Sequence, residues 1–171
     1  MITTAAVKIA LADLAMVAFA VGAVWCAIRE RRLLPIGRWK LLLPGVLAAL
    51  ADATLIAFPQ YRDLFQLELW TVNTAALLAG LTRGALLSMF SDHNLKVVRV
   101  RRTWDAVIIS ALLLGFALLQ TFIELRAVAE NRDEAVMEFF MTVAAGYLFG
   151  RSVAAWIRAM VIQHDDLDRP L

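Results

Sequence analysis

The feature that most constrains this chain is a pair of long apolar runs, 69–90 and 105–125, joined by the short basic segment 91–104. Runs of this length cross about 30 Å of hydrocarbon when helical, at about 1.5 Å per residue. In lipid each must satisfy its backbone internally, so helix is the available form. A soluble fold is excluded by composition. Hydrophobic residues make up 61% of the 171 residues, against roughly 45–50% in soluble domains. A single domain of this size has no interior able to hide that much apolar surface.

The same pattern recurs along the chain and predicts five helices, at 7–28, 41–58, 69–90, 105–125 and 135–157. Pro44 falls in the first turn of the second run, where a missing N–H costs little, and Pro59 closes it. The first run is interrupted by Asp13 and followed by a dense basic cluster, which reads as a retained helix rather than a cleaved leader. The five tryptophans lie at or near the ends of the apolar runs, where amphipathic rings settle at headgroup depth. Segments 29–40 and 91–104 and the stretch from Arg158 are basic. The N-terminus, 59–68 and 126–134 are not. Because cytoplasmic loops carry the Lys/Arg excess, the alternation predicts an all-α integral membrane protein with its N-terminus outside and its C-terminus inside. It would be a multi-pass protein of a bacterial inner membrane. No repeat or linker divides it, so 1–171 reads as one domain with a polar cytoplasmic tail at 158–171.

Helices in lipid gain little from hydrophobicity and associate where small residues let backbones approach. Ladders of this kind occur at Gly45, Ala49 and Ala53, at Gly80 and Gly84, and at Gly146 and Gly150. The last two sit on parallel helices, each with an arginine beside its inner glycine. Either these helices cross there, or the ladders follow from an alanine-rich composition.

Intramembrane polar groups are costly unless paired or wet. Asp13, Asp52, Gln120 and Glu138 fall in the outer half of the predicted spans, and Arg83 and Arg151 near the inner face, with Asp105 at the inner end of the fourth. The outer layer reads as an interhelical hydrogen-bonding layer or as a cation or proton site. Arg83 is placed to pair with Asp105 or to reach lipid phosphate. Lys96, Arg99, Arg101 and Arg102 beside a membrane attract anionic headgroups as well as enforcing topology.

Familiar catalytic patterns are missing. His93 and His164 lie outside the apolar runs, which argues against an embedded bis-histidine haem, and Cys26 is a single cysteine. HExxH, GxSxG and P-loop motifs do not occur. The net charge of +2 is too small to point to nucleic acid. These absences predict neither a metal, nor a cofactor, nor an enzyme. The residues favour an accessory, assembly or scaffolding subunit that binds other membrane proteins, or itself, through small-residue faces. The alternative is a small oligomeric ion- or proton-translocating protein using Asp13, Asp52 and Glu138.

The stretch Gly80-Leu-Thr-Arg-Gly84, then Asp92, then Val98-Arg-Val-Arg-Arg102 and the apolar helix from Asp105 resembles small bacterial CcdC-like membrane proteins over about residues 77–115. The resemblance implies a small polytopic protein loosely linked with cytochrome c maturation, without assigned catalytic residues.

Overall fold

The computed structural model describes residues 4–32, 35–56, 66–92, 96–101, 103–126 and 131–161. It is mostly helical. Five helices, α1 (Thr4–Arg31), α2 (Leu43–Ile56), α3 (Gln66–Ala85), α4 (Asp105–Arg126) and α5 (Asn131–Val161), are joined at one end by three short strands. Among the described residues, Leu11–Arg31, Asp105–Phe122 and Phe139–Val161 are long and apolar enough to cross a membrane, and Leu43–Thr54 is apolar but shorter. Asp105 opens α4, and Arg29 and Arg31 close α1, each charge on the favourable side of its helix dipole.

Helix α5 is the hub. It packs against α2, α3 and α4, while α1 completes the bundle against α2 and α4. The common core is made of small residues and a few large ones: Ala20, Ala48, Ala51, Leu113, Met141 and Leu148 are all buried in it. Small side chains at these crossings let the helices lie close and gain dispersion contacts with one another. The outward faces stay apolar, with Leu14 and Val21 on α1 and Leu112, Leu118 and Phe122 on α4 exposed.

Strands β1 (Ile36–Gly37), β2 (Met89–Asp92) and β3 (Val97–Val100) form an antiparallel sheet in the order β1-β3-β2. This corrects the all-helical expectation and its third helix, placed at 69–90. Helix α3 stops at Ala85 because the chain changes period there. Leu87, Met89 and Ser91 are buried, while Leu86 before them and Ser88 and Phe90 between them are exposed. That two-residue alternation is a strand signal, and it lay concealed inside a continuous apolar run. Val98 and Val100, on the same inward face, join Ile36, Leu41, Leu87 and Met89 over Ala155 and Ala159 of α5. The sheet therefore caps the last turns of α5. Ser91 ties it down by donating to the Ala159 carbonyl at 3.3 Å and accepting from Arg38 at 3.2 Å.

Other boundaries move by a turn. Helix α1 continues past 28 to Arg31, and α5 continues past 157 to Val161, so the tail placed at 158–171 begins inside a helix. A 3-10 turn, Arg38–Leu41, occupies the start of the second apolar run, and α2 begins at Leu43 instead of 41. The end of that run at 57–58 and the tail from 162 lie outside the described residues.

Candidate functional site

The seam between α3 and α5 sets the geometry of the site. A Cβ at Gly80 would meet the Tyr147 carbonyl, one at Gly84 the Arg151 carbonyl, and one at Gly150 the Leu77 carbonyl. Gly146 lies equally close to Asn73. Gly45 of α2 faces the backbone of Phe149 and the side chain of Ser152 on α5. Ala49 is half-buried and Ala53 exposed. At Gly80, Gly84 and Gly150 the contact is with facing backbone, so only glycine permits the separation.

The seam delivers Arg83 and Arg151 to one end of the bundle, beside the last turn of α1 and the first turn of α4. Arg151 is 1% exposed. Its guanidinium takes Glu30 in a two-pronged grip, Nη2 to Oε1 at 2.8 Å and Nη1 to Oε2 at 3.2 Å. Its Nε donates to Asp105 Oδ2 at 3.0 Å, and Nη2 also donates to the Thr103 hydroxyl at 3.3 Å. Arg83 Nε reaches the same Asp105 Oδ2 at 3.1 Å, and the Tyr147 hydroxyl donates to it at 3.5 Å. Two cations and two carboxylates close a network that is neutral in sum and links α1, α3, α4 and α5. The planar fork of arginine suits this role, because it can hold one carboxylate through two bonds and still offer Nε to another.

A second polar contact lies further along the bundle. Thr142 of α5 donates to Asp52 Oδ1 of α2 at 2.8 Å, and both are buried. Gln120 of α4 is buried, and Asp13 of α1 is half-buried. Glu138 stands on α5 one turn before Thr142, but its side chain lies outside the described residues. The structure thus joins Asp52 to a hydroxyl on α5, and Arg83 to Asp105 and, through it, to Arg151.

Of the basic residues singled out for headgroup contact, Lys96 is exposed at the hairpin turn, with a positive φ of 53°. Arg99 sits half-buried on β3 opposite Phe90, and Arg101 is exposed. Arg102 lies outside the described residues. Arg31 stacks on the Trp104 ring, its guanidinium carbon 3.1 Å from the centroid, which ties the end of α1 to the start of α4.

Sequence reasoning missed Glu30, Thr103, Tyr147 and Thr142. Glu30 had a usable signal. Met16, Ala20, Ala23, Ala27 and Glu30 are all buried at alternating spacings of four and three, so Glu30 continues the inward stripe of α1. Ending the helix at 28 leaves it in the basic segment 29–40, outside the predicted spans. Thr103 and Tyr147 carry no comparable signal, since they matter only because the fold brings Asp105 and Arg151 to them. No group of three or more His, Cys, Asp or Glu able to hold a metal ion occurs among the described residues. The arrangement at Arg151 joins α1, α3, α4 and α5 through paired charges. The chain matches no family model, no curated protein and no solved structure.

Proposed function

We propose that the chain crosses a bacterial inner membrane five times, with its N-terminus outside and its basic end cytoplasmic. We assign it the role of a non-catalytic accessory or assembly subunit of a membrane complex. The observation that carries this reading is the closed network at Arg151. The strongest intramembrane charges are spent on one another, whereas a transport or catalytic centre keeps a charged group available to its cargo. The resemblance to CcdC-like proteins is compatible with such a role, and we keep the kinship as part of the proposal.

The partner surface follows from what the fold leaves open. The glycines at 45, 80, 84, 146 and 150 are consumed inside the chain, so docking through them, the expectation from the sequence, gives way to docking on the outward faces. Gly115 on α4 has nothing within 4 Å, and Ala53 on α2 is exposed. Extraction of the native membrane in mild detergent is expected to yield a second membrane protein in fixed stoichiometry with this chain. Elution as a lone homo-oligomer would remove the subunit reading.

One observation favours a second reading, ion or proton translocation. Asp52 is 7% exposed and faces a hydroxyl, Thr142, with no cation bonded to it among the described residues. A buried carboxylate without a fixed counter-charge is a candidate carrier. On the subunit reading, proteoliposomes holding the wild-type chain show no proton or monovalent-cation flux above empty vesicles. Flux that disappears in Asp52→Asn would transfer the assignment to transport.

A further inference from the structure

The end of the bundle that carries the sheet is strongly basic, and the fold decides which of its charges remain available. Two carboxylates at this end have described side chains, Glu30 and Asp105, while Asp92 ends β2 with its side chain outside the described residues. Glu30 and Asp105 are both held by Arg151, and Asp105 also by Arg83. Arg29, Arg32, Lys40, Lys96 and Arg101 are exposed there, and none of them is paired with Glu30 or Asp105. These five cations come from three separate segments, the end of α1, the 3-10 turn and the β2–β3 hairpin. In sequence, Glu30 offsets the first of these segments. In the structure it is withdrawn to neutralise a buried arginine on α5, and the surface keeps the full positive charge.

The tryptophans indicate what supplies the missing negative charge. Trp39 is 69% and Trp104 54% exposed at the same end, Trp39 leaning on Trp156 of α5 and Trp104 lying under Arg31. An exposed indole fixed on the bundle is at home at headgroup depth, one edge in the acyl boundary and the N–H toward water. We infer that this end is a collar for anionic phospholipid, in which Arg29, Arg32, Lys40, Lys96 and Arg101 hold headgroup phosphates while Trp39 and Trp104 set their depth. The inference rests on the membrane-crossing part of the reading above and adds a ligand class to it.

The test is thermal unfolding of the purified chain in a neutral detergent, with added phosphatidylglycerol or phosphatidylcholine at equal mole ratios. Phosphatidylglycerol is expected to raise Tm by several degrees and phosphatidylcholine to leave it unmoved. The rise should collapse at high salt, because the pairs are exposed and screened. The quadruple variant Arg29→Gln, Arg32→Gln, Lys40→Gln, Arg101→Gln should keep its Tm in phosphatidylcholine and lose the phosphatidylglycerol response. Replacing the three arginines by lysine should retain the response, since charge is preserved. Equal shifts from both lipids, or a full response in the glutamine variant, would overturn the collar. So would a shift with polyglutamate and none with phosphatidylglycerol, which would make the surface a protein-docking site. If the glutamine variant fails to fold, the lysine variant and the salt dependence decide. The readout uses the chain alone, so absence of a co-purifying partner, which sinks the subunit reading, leaves this result standing.

Discussion

Replacing Arg151 with alanine is expected to remove most of the folded protein. The guanidinium is buried and holds Glu30 by two bonds and Asp105 by one. Its loss strands Glu30, itself buried, without a counter-charge. Breaking a buried pair in this way costs about 3–5 kcal/mol, a large part of a typical stability of about 5–15 kcal/mol. Arg151→Lys should fall between, since an ammonium cannot reproduce the fork on Glu30 and the Nε bond to Asp105 together. Arg83→Ala is the internal control. Its side chain is 43% exposed, so removal should cost about 0–1 kcal/mol. Combining Arg151→Met with Glu30→Met should recover stability relative to Arg151→Ala, because the stranded charge is gone and apolar volume replaces it. Yield and thermal unfolding in detergent measure all four. Equal stability of Arg151→Ala and Arg83→Ala would show that the network does not hold the helices.

The second large effect is expected along the glycine seam. Gly80→Ala, Gly84→Ala and Gly150→Ala each drive a methyl into a carbonyl of the facing helix. Backbone cannot rotate away as a side chain can, so the helices must separate. Overpacking of this kind costs about 1–3 kcal/mol and occasionally more; leucine at the same positions should prevent α3 from docking on α5. Gly115→Ala is the contrast. It lies on a helix with nothing within 4 Å, and alanine in a helix is worth about 0.8–1 kcal/mol over glycine, so this variant should match or exceed the wild type. Seam variants should also couple to Arg83→Ala, since separating α3 from α5 carries Arg83 away from Asp105. Thermal scans of the single and double variants read this directly. Tolerance of alanine at Gly80 and Gly150 alike would mean that the helices are not held at this separation.

What the sequence determined by itself is that the molecule is mostly helical, with helices long and apolar enough to cross a membrane, and roughly where those helices lie. The apolar runs are legible because a helix that crosses lipid, or a bundle hub such as α5, is apolar over most of its length. The glycines at 80, 84, 146 and 150 could be picked out by spacing, and the Arg83–Asp105 pair could be posed as an option. What only the tertiary structure decided is how these features are used. Hydrophobicity does not distinguish the end of a helix from the first strand after it when both are apolar, so the sheet at 89–100 stayed hidden until Val98 and Val100 could be seen packed over α5. A ladder of small residues does not name its partner, and the fold spends this one within the chain. An acid in a basic loop looks like an offset to its neighbours. Glu30 became the counter-charge of Arg151 because α1 runs on by one turn and points it inward, where an unpaired arginine would be too costly to bury.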